Sequence, residues 1–81
     1  MTSQHSRPDA TLEGLGEACA TLTPLIWRTI RRLDSGQVLE VISDDPAAPS
    51  GVGAWSRLTG HQLLETVTEP DGRLHFYLGR K

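Results

Sequence analysis

Leu15-Gly16-Glu17-Ala18-Cys19-Ala20-Thr21-Leu22-Thr23-Pro24 is the stretch on which the fold turns. A weakly alternating segment, residues 11–15, runs into it, with Leu12 and Leu15 its large apolar residues. Out of it runs an apolar series, Leu22, Leu25, Ile26, Ile30 and Leu33, at offsets of three and four. That spacing is one face of an amphipathic helix. The stretch is therefore a strand-to-helix junction. The only cysteine of the chain, Cys19, lies in it among small residues and off the stripe. The start of the helix has two readings. Pro24 suits a first helical position with Thr23 as its N-cap, which leaves Cys19 a turn ahead. Alternatively, residues 19–23 form a tight turn that feeds the helix. The stop is Asp34-Ser35-Gly36, where Gly36 suits a left-handed exit.

Working outward, residues 37–43 alternate as a second strand, with Leu39 and Val41 on one face and Val38, Glu40 and Ile42 on the other. Asp44-Asp45-Pro46 ends it, and these carboxylates read as turn formers rather than an acid–base pair. Residues 47–50 read as a loop. Residues 51–59 read as a second helix, with Val52, Trp55 and Leu58 at helical spacing and Gly60 as terminator. Residues 61–69 and 73–80 form a hairpin over Pro70-Asp71-Gly72. Met1 to Asp9 is polar and without periodicity, and is expected to be a disordered tail ahead of a single domain, 10–81. The order β-α-β-α-β-β predicts an α/β two-layer sandwich, a four-stranded mixed sheet with two helices on one face.

Composition limits the function. The chain has 81 residues, 37% hydrophobic and 22% charged, with a net charge of −2. That suits one small globular domain and offers no overall basic field for direct nucleic-acid binding. No apolar run approaches membrane-spanning length. A single cysteine forms no internal disulfide, and no secretory leader is evident, so a reducing cytoplasm is the expected compartment. His5, His61 and His75 are scattered and lack zinc-ligand spacing, so no metal is expected. Gly14 and Gly16 are not followed by the rest of a phosphate-loop fingerprint, and no cofactor is expected.

Cys19 is the one candidate catalytic residue. A helix N-terminus nearby favours an anion, so its thiol is expected to be partly accessible and more acidic than the free value of about 8.5. Glu17 opposes that shift if its side chain points at the sulfur. A free cysteine is also commonly just a small buried hydrophobe. Arg28, Arg31 and Arg32, with Trp27 beside them, form a basic patch on the outer side of the first helix. Most such patches are solvated helix faces. The functional reading is a docking surface for an acidic protein partner.

Five segments carry a family resemblance. They are Thr11-Leu12-Glu13-Gly14-Leu15-Gly16-Glu17-Ala18-Cys19, Leu33-Asp34-Ser35-Gly36, Leu39-Glu40-Val41, Asp44-Asp45-Pro46 and Gly60-His61-Gln62-Leu63-Leu64. Together they resemble the TusA/SirA family of small sulfur-carrier proteins, from Thr11 to Lys81. The family signature is Cys-Pro-x-Pro. This chain reads Cys19-Ala20-Thr21-Leu22, keeping the cysteine and lacking both prolines. Glu13 takes the place of an acidic residue common in the family, though as an ordinary exposed strand residue it needs no such role. The resemblance implies a two-layer sandwich and a sulfurtransferase activity in which Cys19 carries a persulfide. The implied partners are a cysteine desulfurase or rhodanese-like donor, and an acceptor enzyme of tRNA thiolation, molybdenum-cofactor synthesis or related sulfur traffic. The carrier is expected to be a monomer. Two other functions fit the same residues: an interaction module that kept the fold without the chemistry, and a redox sensor that pairs Cys19 between two copies.

Overall fold

The structure is a computed structural model that describes residues 8–81. Strand β1 is Ala10–Glu13, helix α1 Cys19–Ile30, strand β2 Val38–Ser43, helix α2 Ala48–Thr59, strand β3 Gln62–Thr68 and strand β4 Leu74–Gly79. The sheet order is β1-β2-β4-β3. β1 runs parallel to β2, while β4 is antiparallel to both β2 and β3. This is the mixed four-stranded sheet that the element order predicts.

Alternation along the strands separates the two sheet faces. Leu39 pairs with Leu78 and Val41 with Phe76, and all four are buried. Against them pack Leu22, Ile26 and Ile30 of α1 and Ala48, Val52 and Trp55 of α2, in one core. Both helices therefore cover the same face. The other face carries Thr11, Glu40, Tyr77 and Glu65 in a row across the strands, with Glu13, Ile42, His75 and Val67 in the next row.

Several boundaries differ from the sequence reading. β1 stops at Glu13, where its ladder with β2 ends, and Leu15 is exposed. A Cβ on Gly14 would collide with the Leu22 side chain, so glycine lets α1 approach the sheet closely. α1 starts at Cys19, with Ala18 as an extended N-cap, and Pro24 lies inside it. Thr23 is not the cap. The N–H groups of Thr21 and Leu22 both donate to Ala18 O, at 3.0 and 2.8 Å, which closes the first turn upstream of Pro24. The helix proper ends at Ile30, and Leu33 packs against the core from the turns that follow. Gly36 takes the left-handed conformation expected of it, φ +88°.

α2 starts three residues earlier than expected, with Pro49 in its first turn, where a missing N–H costs nothing. Leu58 is 87% exposed rather than part of the buried face. A register shift between Leu63 and Glu65 lets Leu63 face Leu78 while Glu65 faces Tyr77. Residues 1–7 of the expected tail lie outside the described residues. Asp9 is bonded to β2: its N–H donates to Val38 O and its carboxylate accepts from Val38 N–H, both at 2.8 Å.

Candidate functional site

The junction that holds Cys19 is fixed from the sheet side. Gly14 N–H donates to Ile42 O at 2.7 Å, and Glu17 N–H to Gly14 O at 3.1 Å. Gly16 N–H donates to the Asp44 carboxylate at 3.1 Å, 28 residues away in sequence. Asp45 is a turn former, its carboxylate accepting from Ala47 N–H at 2.9 Å. Asp44 does more than end β2: it ties down the loop ahead of α1. Nothing in the local sequence marks that long-range bond.

Cys19 is the first residue of α1. The first N–H groups of a helix have no intrahelical acceptor and carry the positive end of its dipole. Ala18 offers no capping side chain, and the first turn holds no acidic residue. An anion at this position meets no competing carboxylate from the helix itself. Helix α1 thus begins at the cysteine rather than a turn beyond it.

The signature positions are informative. Ala20 is exposed. Leu22, where the signature has its second proline, is fully buried and is the first core residue of α1. Its N–H makes the bond to Ala18 O that proline would forfeit. The turn after Cys19 is regular helix held by core packing, rather than a proline-stiffened loop.

The family profile described as sulfurtransferase TusA matches residues 11–80. The chain belongs to the TusA family. With membership comes a sulfur-carrier role in general, and a family habit of working with partner proteins of sulfur transfer. The crystal structure of a SirA-like protein from Desulfitobacterium hafniense superposes with a TM-score of 0.76 at 18% identity, covering 86% of this chain and 95% of that one. It shares the fold of this TusA-family chain.

The expected docking residues do converge. Pro24, Trp27, Arg28, Arg31 and Arg32 line one groove of about 490 Å³ on the outer side of α1. Among the described residues, none of the three arginines pairs with a carboxylate. The sequence reading leaves out the other half of this surface. Thr23, Pro24, Trp27, Trp55 and Thr59 line a second groove, of about 330 Å³, between α1 and α2. The two indoles that line it belong to a three-ring cluster. Trp55 stacks on His61 with centroids 5.5 Å apart, and Trp27 meets Trp55 edge-on at 6.5 Å. His61 Nδ1 accepts from Lys81 N–H at 3.0 Å, so its ring is neutral with the proton on Nε2. Burial, aided by the Arg80 and Lys81 charges, holds its pKa below the ordinary imidazole value. The signal available in sequence was an aromatic residue on each helix, but only packing brings them to one place.

The described residues hold no cluster of His, Cys, Asp and Glu fit for a metal ion. No helix among them is long and apolar enough to cross a membrane.

Proposed function

We propose that the chain relays sulfane sulfur as a persulfide on Cys19, between a protein donor and a protein acceptor. The Cys19 thiolate attacks the terminal sulfur of a donor persulfide. The donor's S–S bond breaks, its electron pair leaves with the donor thiolate, and a new S–S bond forms on Cys19. An acceptor thiolate repeats the attack on the Cys19 persulfide and restores the Cys19 thiolate. No net oxidation occurs, so one thiol suffices and neither cofactor nor metal takes part. A cysteine desulfurase or rhodanese-like protein is the donor class, and enzymes of tRNA thiolation or molybdenum-cofactor synthesis are the acceptor class. Residues 10–81 act as one domain, monomeric, in a reducing cytoplasm. Arg28, Arg31, Arg32 and Trp27 are the face that partners meet.

The observation that carries this reading is the signature cysteine at the first position of α1, with no acidic residue in that turn. The test is intact-mass spectrometry after incubation with a persulfide donor. Wild type is expected to gain one sulfur atom, lost again on adding a thiol reductant, and Cys19→Ser to gain none. An unmodified wild-type protein overturns the relay.

One observation favours a second reading. Leu22 is fully buried and makes the segment after Cys19 core-anchored helix. That arrangement also suits an interaction module with an inert thiol. Alkylation of Cys19 only on unfolding selects this reading.

A further inference from the structure

The two grooves share Pro24 and Trp27. One is walled by indoles and the other by arginines. Trp27 forms the ridge between them and remains 43% exposed. We propose that this double groove binds an acidic segment of a partner protein, laying one large aliphatic side chain in the groove over the Trp27–Trp55 pair while flanking carboxylates meet Arg28, Arg31 and Arg32.

Three observations select that occupant. The arginines are unpaired among the described residues, so their charge is open to an anionic group from a partner. The indole planes stand at 78° to each other. Packed edge to face, the pair lines the groove with an angular apolar wall suited to an aliphatic group, where a flat exposed ring would instead offer a stacking platform to a nucleobase. The cluster is also built before the partner arrives. Trp55 is buried, and Trp27 lies 6.1 Å from His61, a ring fixed by the Lys81 N–H. A preformed aromatic anchor edged by arginines is the composition that concentrates binding energy in protein interfaces. Like-charged arginine faces repel, so a second copy does not present the same face to this one.

The proposal deepens the relay reading by stating what a sulfur partner must carry near its own reactive group. Binding itself needs no thiol. The experiment therefore uses Cys19→Ser protein, so that a failed relay and a failed docking site give different results. A random peptide library displayed on phage is selected against it. The selected peptides are then measured on the same protein and on two further variants, Trp27→Ala and Arg28→Glu with Arg31→Glu. Both carry changes at exposed positions, and circular dichroism checks their fold.

The expected consensus is several Asp or Glu around one Leu, Ile or Met. Affinity is expected to drop on the order of 10-fold or more in each variant. Added salt should weaken binding to the Cys19→Ser protein more than to the arginine-reversed variant. A basic consensus, no enrichment, or binding indifferent to both variants overturns the proposal. So does tighter binding of a single-stranded oligonucleotide, in competition, than of the best peptide.

Discussion

The two outer faces of this sandwich handle charge in opposite ways. On the open sheet face, polar side chains satisfy each other. Glu40 Oε2 lies 2.7 Å from His75 Nδ1 and accepts from Tyr77 OH at 3.3 Å, while Oε1 accepts from Thr11 Oγ1 at 3.3 Å. His75 Nε2 reaches the Glu69 carboxylate at 3.3 Å. The network joins β1, β2, β4 and Glu69, the residue that follows β3. Burial, with the Glu40 charge and hydrogen bond, raises the Tyr77 pKa and keeps its phenol protonated. On the helix face, Arg28, Arg31 and Arg32 surround an exposed indole and find no carboxylate among the described residues. A face whose polar groups are mutually bonded contributes to stability. A face whose charges are left open is available to a partner, and costs the isolated domain little.

Both faces hang on one core, so the largest effect belongs to neither. Ile26→Ala removes a fully buried side chain between sheet and helix. It is expected to destabilise the domain by about 2–5 kcal/mol in chemical denaturation, loosening both faces together. An unchanged midpoint would mean that the helix layer is not anchored as described.

The next effect separates the faces. Glu40→Ala leaves His75, Tyr77 and Thr11 without their shared acceptor. A loss of about 1–2 kcal/mol is expected, with Trp fluorescence in the folded state unaltered because the rings lie on the other side. If the Trp signal shifts, the faces are coupled and the division drawn above fails.

A smaller effect depends on pH. His61 titrates below the ordinary imidazole value of about 6.5, so the unfolded chain binds more protons than the folded one beneath that value. The stability contributed by neutral His61 is full above about pH 6.5 and is lost as pH falls from there toward the lowered folded value. Wild type should therefore weaken more steeply than His61→Asn between about pH 6.5 and 5. Parallel profiles would show that the ring is not held neutral by the fold.

The smallest expected change is in stability on reversing the arginines. Arg28→Glu with Arg32→Glu should shift the denaturation midpoint by less than about 0.5 kcal/mol. Sulfur transfer with a partner should slow, and the difference from wild type should shrink at high salt. A large stability loss would place these arginines in the fold rather than on an open face.

Much of this molecule was legible in its sequence because it rests on local periodicity. The stripe Leu22, Ile26, Ile30 and the alternation of Leu39 with Val41 and of Phe76 with Leu78 each follow from one repeat length, 3.6 or 2. The hairpin turn follows from Pro70-Asp71-Gly72, and the arginine cluster from adjacency on one helix. Element order and single-face packing come from these alone. The start of α1 did not, because Pro24 and Thr23 are a good local cap that tertiary packing of Leu22 overrides. The Asp44 bond to Gly16 and the meeting of Trp27, Trp55 and His61 were also out of reach. Local pattern fixes which face of an element is apolar. It does not fix which residues from separate elements arrive side by side, and that depends on how the two helices settle on the sheet.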